Sequence, residues 1–169
     1  MKAEIHGKIS SKGSNLTERL EDNLTGNIFG TLRYIPFSTA LGKIFGKGVY
    51  PKTVGKRIQE IDKEFWADTI QFWPYDREGE IDALIEFEDV VIGIEVKYKS
   101  GLSSDDETNN QEEVQEMQQS FNQLARESRI LSRKAPQKRK LLLFIADRMD
   151  CKNVYKDVIE RKILDSDVE

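Results

Sequence analysis

A single cysteine, Cys151, and a single histidine, His6, are the only thiol and the only imidazole in 169 residues. One thiol cannot close an internal disulfide, and one thiol with one imidazole falls short of a structural zinc site, so both scaffolds are excluded. Neither residue has a catalytic partner beside it in the sequence, and both read as incidental. Long apolar runs are missing too. No stretch approaches the roughly 18 residues of a membrane-spanning helix, and the opening MKAEIHGKIS lacks the apolar centre of a secretory leader. The chain is therefore expected in the reducing cytoplasm, with no membrane partner. A Gly-rich phosphate loop and the spacing of a calcium-binding loop are also absent, which argues against a kinase-like or EF-hand site.

Global positive charge is lacking as well: 26 Lys and Arg stand against 30 Asp and Glu, for a net charge of -4. Any nucleic-acid contact has to come from local basic patches. Two are visible. Lys43, Lys47, Lys52, Lys56 and Arg57 follow the first helical segment, and Arg126, Arg129, Arg133, Lys134, Lys138, Arg139 and Lys140 crowd a later one; for each, a solvated face is the plain alternative. With 38% hydrophobic and 33% charged residues, the whole chain, 1–169, reads as a single soluble globular domain, and the mixture of helical and strand patterns set out below makes it α/β. Its polar, acidic stretch SSDDETNNQEE follows Gly101 and predicts a mobile loop over about 100–111 that runs into a helix.

Periodicity supplies the elements. Ser14 or Asn15 can cap a helix reaching about Leu32, with Leu20, Leu24, Ile28 and Leu32 as its apolar stripe. Glu21 projects between Ile28 and Leu32 at about 100° per residue, so a carboxylate is expected at the core-facing side, with Glu18 at the stripe's edge. Pro36 stops this helix, and STALGKIFGKG and TVGKRIQEI predict two short helices. Residues 65–73 alternate as a strand, with Trp66, Phe72 and Trp73 expected in the core. Residues 80–87 and 90–98 form the next two strands, joined by a turn at Glu88-Asp89, to give an antiparallel meander. Val114, Met117, Phe121, Leu124, Ser128 and Leu131 mark a long amphipathic helix. KLLLFIAD then predicts a buried strand, and a last helix from Asn153 is expected to turn Val154, Val158, Ile159 and Ile163 inward. The closing DSDVE reads as a strand just beginning, as in a short or truncated chain.

Charged residues at the strand ends carry the chemistry. A period of two sends Glu95 and Lys97 to one face of their strand, near Asp82 on the neighbouring one. Two carboxylates held close repel and are costly to desolvate unless a divalent cation offsets them or one takes up a proton. Mg2+ (or Mn2+) suits them: such a hard ion takes one or two protein carboxylates and fills its shell with water and phosphate oxygens. A lysine alongside can hold the attacking water and help deprotonate it, or offset charge building on a phosphate. Arg126 and Arg129 on the long helix are candidate phosphate contacts.

Asp82, twelve intervening residues, then Glu95-Val96-Lys97 resembles the signature of the PD-(D/E)xK nuclease superfamily. The resemblance implies a restriction-endonuclease-like core, ordered α-β-β-β-α-β, with a mixed central sheet flanked by helices. It implies metal-dependent hydrolysis of DNA that leaves 5'-phosphate ends. Asp82 and Glu95 would be metal ligands together with the Val96 carbonyl, Lys97 the catalytic lysine, and Glu21 the acidic residue that the first helix commonly supplies, with Glu18 the second choice. Gln123 matches a glutamine that RecB-like members carry on the corresponding helix. Two positions depart from the pattern: Ile81 stands where Pro is common, and Glu127 stands one turn after Gln123, where Tyr is frequent. Alternatives are a catalytically silent relative that binds nucleic acid or protein, and a Holliday-junction resolvase, which requires a homodimer to place two symmetric cuts. Whether the target is DNA or RNA, duplex, single-stranded or branched, is left open.

Overall fold

The computed structural model describes residues 16–98, 102 and 122–169, with the side chains of the first helix described from Leu20 onward. Leu102 apart, the expected acidic loop lies outside the described residues, as do Val114, Met117, Phe121, the Ser14 and Asn15 caps and the side chain of Glu18. The elements are α1 (Leu16–Leu32), α2 (Leu41–Gly48), α3 (Lys52–Gln59), β1 (Ile70–Phe72), β2 (Tyr75–Asp76), β3 (Gly79–Glu80), β4 (Ala83–Glu86), β5 (Val90–Val96), α4 (Gln123–Lys134), β6 (Arg139–Ile145) and α5 (Arg148–Arg161). Among them no helix is long and apolar enough to cross a membrane.

β5, VVIGIEV, is rich in β-branched residues, buried throughout, and the centre of the fold. A four-stranded mixed sheet runs β1-β4-β5-β6. β1 with β4 and β4 with β5 are antiparallel, with Ala83 opposite Ile94 and Ile85 opposite Ile92. β5 and β6 are parallel, Glu95 lying opposite Phe144. That parallel step needs a crossover, and α4 lies in it. The Glu88-Asp89 turn closes where expected, with the Phe87 N–H donating to Val90 O at 2.8 Å.

Alternation along β5 divides the core in two. Val90, Ile92, Ile94 and Val96 meet Phe29 of α1, Leu41 and Phe45 of α2, Val54 and Ile58 of α3 and the fully buried Trp66. Val91 faces the other way, with Ile81 and Leu84, onto Ile130 and Leu131 of α4. The sheet is thus covered by α1–α3 on one face and α4 on the other. Gly93 allows the α4 approach, since a Cβ there would stand 3.0 Å from Leu131 Cδ1. Asn122 caps α4 by accepting from the Leu124 N–H at 2.9 Å, and Asp147 caps α5 by accepting from Met149 N–H at 2.7 Å.

Several sequence expectations are corrected. On α1 the stripe Leu20, Leu24 and Ile28 is 45%, 39% and 44% exposed, while Glu21, Thr25 and Phe29 are buried. The buried arc is turned by about one residue, roughly 100°, because Phe29 docks on Phe45 and Glu21 has a backbone partner. The strand expected over 65–73 shrinks to Ile70–Phe72; Trp73 adopts φ 49°, which swings the chain out of the sheet into the β2–β3 ribbon. Glu80, expected to begin the next strand of the main sheet, pairs with Tyr75 of β2 instead, and the main-sheet strand starts at Ala83. β6 is only partly buried; among the described residues its far side is flanked by the last residues of the chain, through a parallel bridge from Lys140 to Val168. Val168 of DSDVE, where a strand was expected to begin, takes part in that isolated bridge and in none of the strands β1–β6. On α5, Val158 is buried but Ile159 is 56% exposed, so the inward face is narrower than expected.

Candidate functional site

Three successive N–H groups at the end of β5 gather the site. Val96 donates to Asp82 Oδ2 at 2.8 Å, Lys97 donates to the Ile145 carbonyl of β6 at 2.8 Å, and Tyr98 donates to Glu21 Oε1 at 2.7 Å. Because the N–H groups of Val96 and Tyr98 point to the edge opposite the one that Lys97 presents to β6, Asp82 and Glu21, 61 positions apart in the numbering, meet one backbone stretch. Asp82 sits in the bend between β3 and β4, its own carbonyl accepting from Trp73 N–H at 3.1 Å. Glu21 reaches in from the α1 layer.

Glu95 belongs to the α4 face of β5 and is 2% exposed. Its Oε1 takes two donors, Lys97 Nζ at 2.6 Å and Gln123 Nε2 at 2.6 Å. Gln123 Nε2 also donates to Glu127 Oε1 at 2.9 Å. The structure thus brings together Glu21, Asp82, Glu95, Lys97 and Gln123, and it adds Glu127, whose Oε2 is buried without a hydrogen-bond partner. Glu127 entered the sequence reading only as the residue standing where a tyrosine was looked for. Its position, four residues after Gln123 on the same helix face, was the available signal.

Charge crowding sets the protonation states. Burial, then the neighbouring Glu95 charge, push Asp82 up to about 8, against the Val96 N–H and the Lys97 charge, which pull down. Burial, and next the Glu95 carboxylate, hold Glu127 well above the usual carboxylate range. For Lys97, burial favours the neutral amine, but the charge and hydrogen bond of Glu95, with Asp82 and Glu21 behind, outweigh it and raise the amine above its ordinary value. Lys97 is therefore a cation at neutral pH. Three carboxylates, Glu95, Asp82 and Glu21, act on this one ammonium, with Glu127 buried beside Glu95, so the cluster carries more acid than it can ionise together.

Such a donor set, all carboxylate with no soft ligand, fits a hard divalent cation, which would let Asp82 and Glu95 ionise side by side. Among the described residues no group of three or more His, Cys, Asp or Glu is arranged to hold a metal ion. Mg2+ commonly takes one or two protein carboxylates.

The Arg-rich end of α4 has a different setting from the one expected. Arg129 Nε donates to Glu78 Oε2 at 2.5 Å, and Arg133 grips both Glu78 and, at 2.6 Å, Asp76. Lys138 pairs with Glu86 at 2.7 Å, and the buried Lys140 with Asp167 at 2.9 Å. Burial works against them, but the two guanidinium groups still hold Glu78 below the usual carboxylate range. Arg129 and Arg133 thus hold the β2–β3 ribbon to α4, and Lys140 holds the chain's last residues to β6. Arg126 is half-buried in the first turn of α4, its N–H on the Asn122 carbonyl at 3.1 Å.

Compared with known proteins, the chain matches no family model, no curated protein and no solved structure.

Proposed function

We propose that this chain is a metal-dependent nuclease of the PD-(D/E)xK type, hydrolysing phosphodiester bonds of DNA with Mg2+ or Mn2+. The observation that carries the reading is the docking of Asp82 on the N–H of Val96, the residue between Glu95 and Lys97. It puts both acids and the amine of the motif at one strand end, where the sequence separates them by twelve residues. Three antiparallel strands, a crossover helix and a parallel fourth strand are also the order that a restriction-endonuclease-like core calls for.

In this reading Asp82, Glu95 and the Val96 carbonyl hold the cation, with Glu21 adjusting their surroundings. When bound, the cation supplies a lowered pKa for water and neutralises charge on the phosphate. The residues do the rest. Glu95 is fixed by Gln123 and Lys97 on one oxygen, so its other oxygen keeps a defined direction. Lys97, held protonated, orients the incoming water and offsets the negative charge that develops on the phosphate oxygens. Glu127 steadies Gln123 from behind.

Cleavage of supercoiled plasmid and of labelled single-stranded and branched DNA, with Mg2+ or Mn2+ and an EDTA control, tests this directly. Metal-dependent cutting that disappears in Glu95→Ala is the expected result. A folded protein that cuts none of these substrates would overturn it in favour of a silent binding module. The resolvase version requires in addition a homodimer and a preference for branched DNA.

A further inference from the structure

α2 and α3 form a tight helical hairpin. A Cβ at Gly55 would stand 3.0 Å from the Gly46 carbonyl oxygen and 3.2 Å from that of Phe45, so the two helices meet backbone to backbone. Leu41, Phe45, Val54 and Ile58 anchor the inner side in the core. Outside, Lys43 and Lys47 are four residues apart on α2, and Lys52 and Lys56 four apart on α3, which puts each pair on one helix face. All four are exposed. None forms an ion pair, in contrast to Arg129, Arg133, Lys138 and Lys140. Lys52 Nζ reaches back to the Lys47 carbonyl at 2.5 Å and ties the two rows together. Tyr50, between the helices, is held edge-on to Tyr155 with ring centroids 4.9 Å apart, yet stays 68% exposed.

We infer that the outer face of the α2–α3 hairpin, Lys43, Lys47, Lys52 and Lys56 with Tyr50, is a nucleic-acid contact surface that grips the phosphate backbone away from the reacting phosphate. Four exposed cations without an ion pair among the described residues, two on each helix of one hairpin, make a local attraction for a polyanion on a chain of net charge -4. A braced, exposed tyrosine among them is the platform on which an unpaired base stacks. An anionic membrane fits less well, because the exposed apolar complement on the two helices is Ile44 and little else. The hairpin also lies on the site's own layer: Phe29, which meets Phe45, follows Glu21 by about 12 Å of helix rise on α1. The surface deepens the nuclease reading, but its binding is scored apart from cleavage.

The test uses the full chain carrying Glu95→Gln, labelled duplex and single-stranded oligonucleotides, EDTA, and fluorescence anisotropy from 50 to 200 mM KCl. Replacing Lys43, Lys47, Lys52 and Lys56 together by Ala should weaken binding by about 10–100-fold and reduce the duplex salt slope by about 0.9 for each lysine that engages a phosphate. Replacing the same four by Arg should restore binding, which separates lost charge from misfolding. Lys134→Ala, exposed at the end of α4 on the opposite face of the sheet, should change nothing. Unchanged affinity and slope in the Ala variant, no DNA binding by the parent, or capture by phosphatidylserine vesicles in place of DNA would each overturn the inference. If the lysines prove necessary for binding but the Glu95 protein cuts no substrate, the nuclease reading falls and the surface stands. If cutting is metal-dependent while the Ala variant binds like its parent, the surface alone falls.

Discussion

Lys97 and Glu95 share a hydrogen bond but do different work, and their variants should separate. Lys97→Ala removes a cation aimed at developing charge, so turnover should fall by about 10²–10³ while Mn2+ affinity, read by calorimetry, persists. Glu95→Ala should lose both. Equal affinity and equal activity in the two variants would refute the assignment of roles. Asp82 gives a second residue-scale prediction. Its folded pKa is raised from 3.8 to about 8, so between those values the folded chain holds a proton that the unfolded chain has released. Stability of the metal-free protein should therefore be greatest at the low end and decline as pH rises towards 8, by at most about 1.4 kcal/mol per pH unit from this group. Urea unfolding in EDTA at pH 5 and pH 8 measures the decline. Asp82→Asn should make it shallower, and identical declines would show that Asp82 is not strained by its neighbours. Glu127, also raised, acts with the same sign.

The α2–α3 hairpin shows how one element's geometry depends on which neighbour a side chain would meet. Gly55→Ala gains helix propensity of about 1 kcal/mol but drives a methyl into the carbonyl oxygens of Gly46 and Phe45, which are backbone and cannot move aside. The net result should be a loss of about 1–3 kcal/mol. Gly46→Ala points instead at Gln59, with its Cβ 3.0 Å away and the flexible amide end beyond. It should be near neutral or slightly stabilising. Thermal melts of the two variants distinguish them, and equal effects would mean that the helices are not in backbone contact. The element scale also explains the exposed stripe of α1. A four-residue spacing announces an amphipathic helix, yet the face that is buried was chosen by Phe29 against Phe45 and by Glu21 against Tyr98.

At the scale of the molecule, the last residues close the sheet's far side. Glu169 N–H donates to the Lys140 carbonyl at 3.1 Å, and Leu142 N–H donates to the Glu169 carbonyl at 2.8 Å. Asp167 accepts from the buried Lys140 at 2.9 Å and from Ser132 at 2.7 Å. Asp167→Ala would leave the Lys140 ammonium with the Lys138 carbonyl as its remaining hydrogen-bond partner among the described residues. It should cost about 1–3 kcal/mol. Glu169→Ala breaks only the half-exposed pair with Arg57 and should cost no more than about 1 kcal/mol. Chemical denaturation of both variants measures the difference; a cost for Asp167→Ala as small as that for Glu169→Ala would show that the tail is not anchored through Lys140.

The sequence by itself determined what alternation and local spacing can encode. It placed Glu95 and Lys97 on one strand face, the turn at Glu88-Asp89, two short helices after Pro36, and Asp82 beside the strand end, because each depends on residues a few positions apart. It also marked the glutamate of α1 that turns inward, although the stripe taken to frame it faces out. Tertiary structure alone decided the rest. Nothing in the local pattern of α4 announces that Arg129 and Arg133 pair with Glu78 and Asp76, more than fifty positions upstream. Glu127 looks like an ordinary helix-face acid until Gln123 ties it behind Glu95 and burial raises its pKa. Charge neutralisation and desolvation arise from neighbours brought from far along the chain, and periodicity carries no information about them.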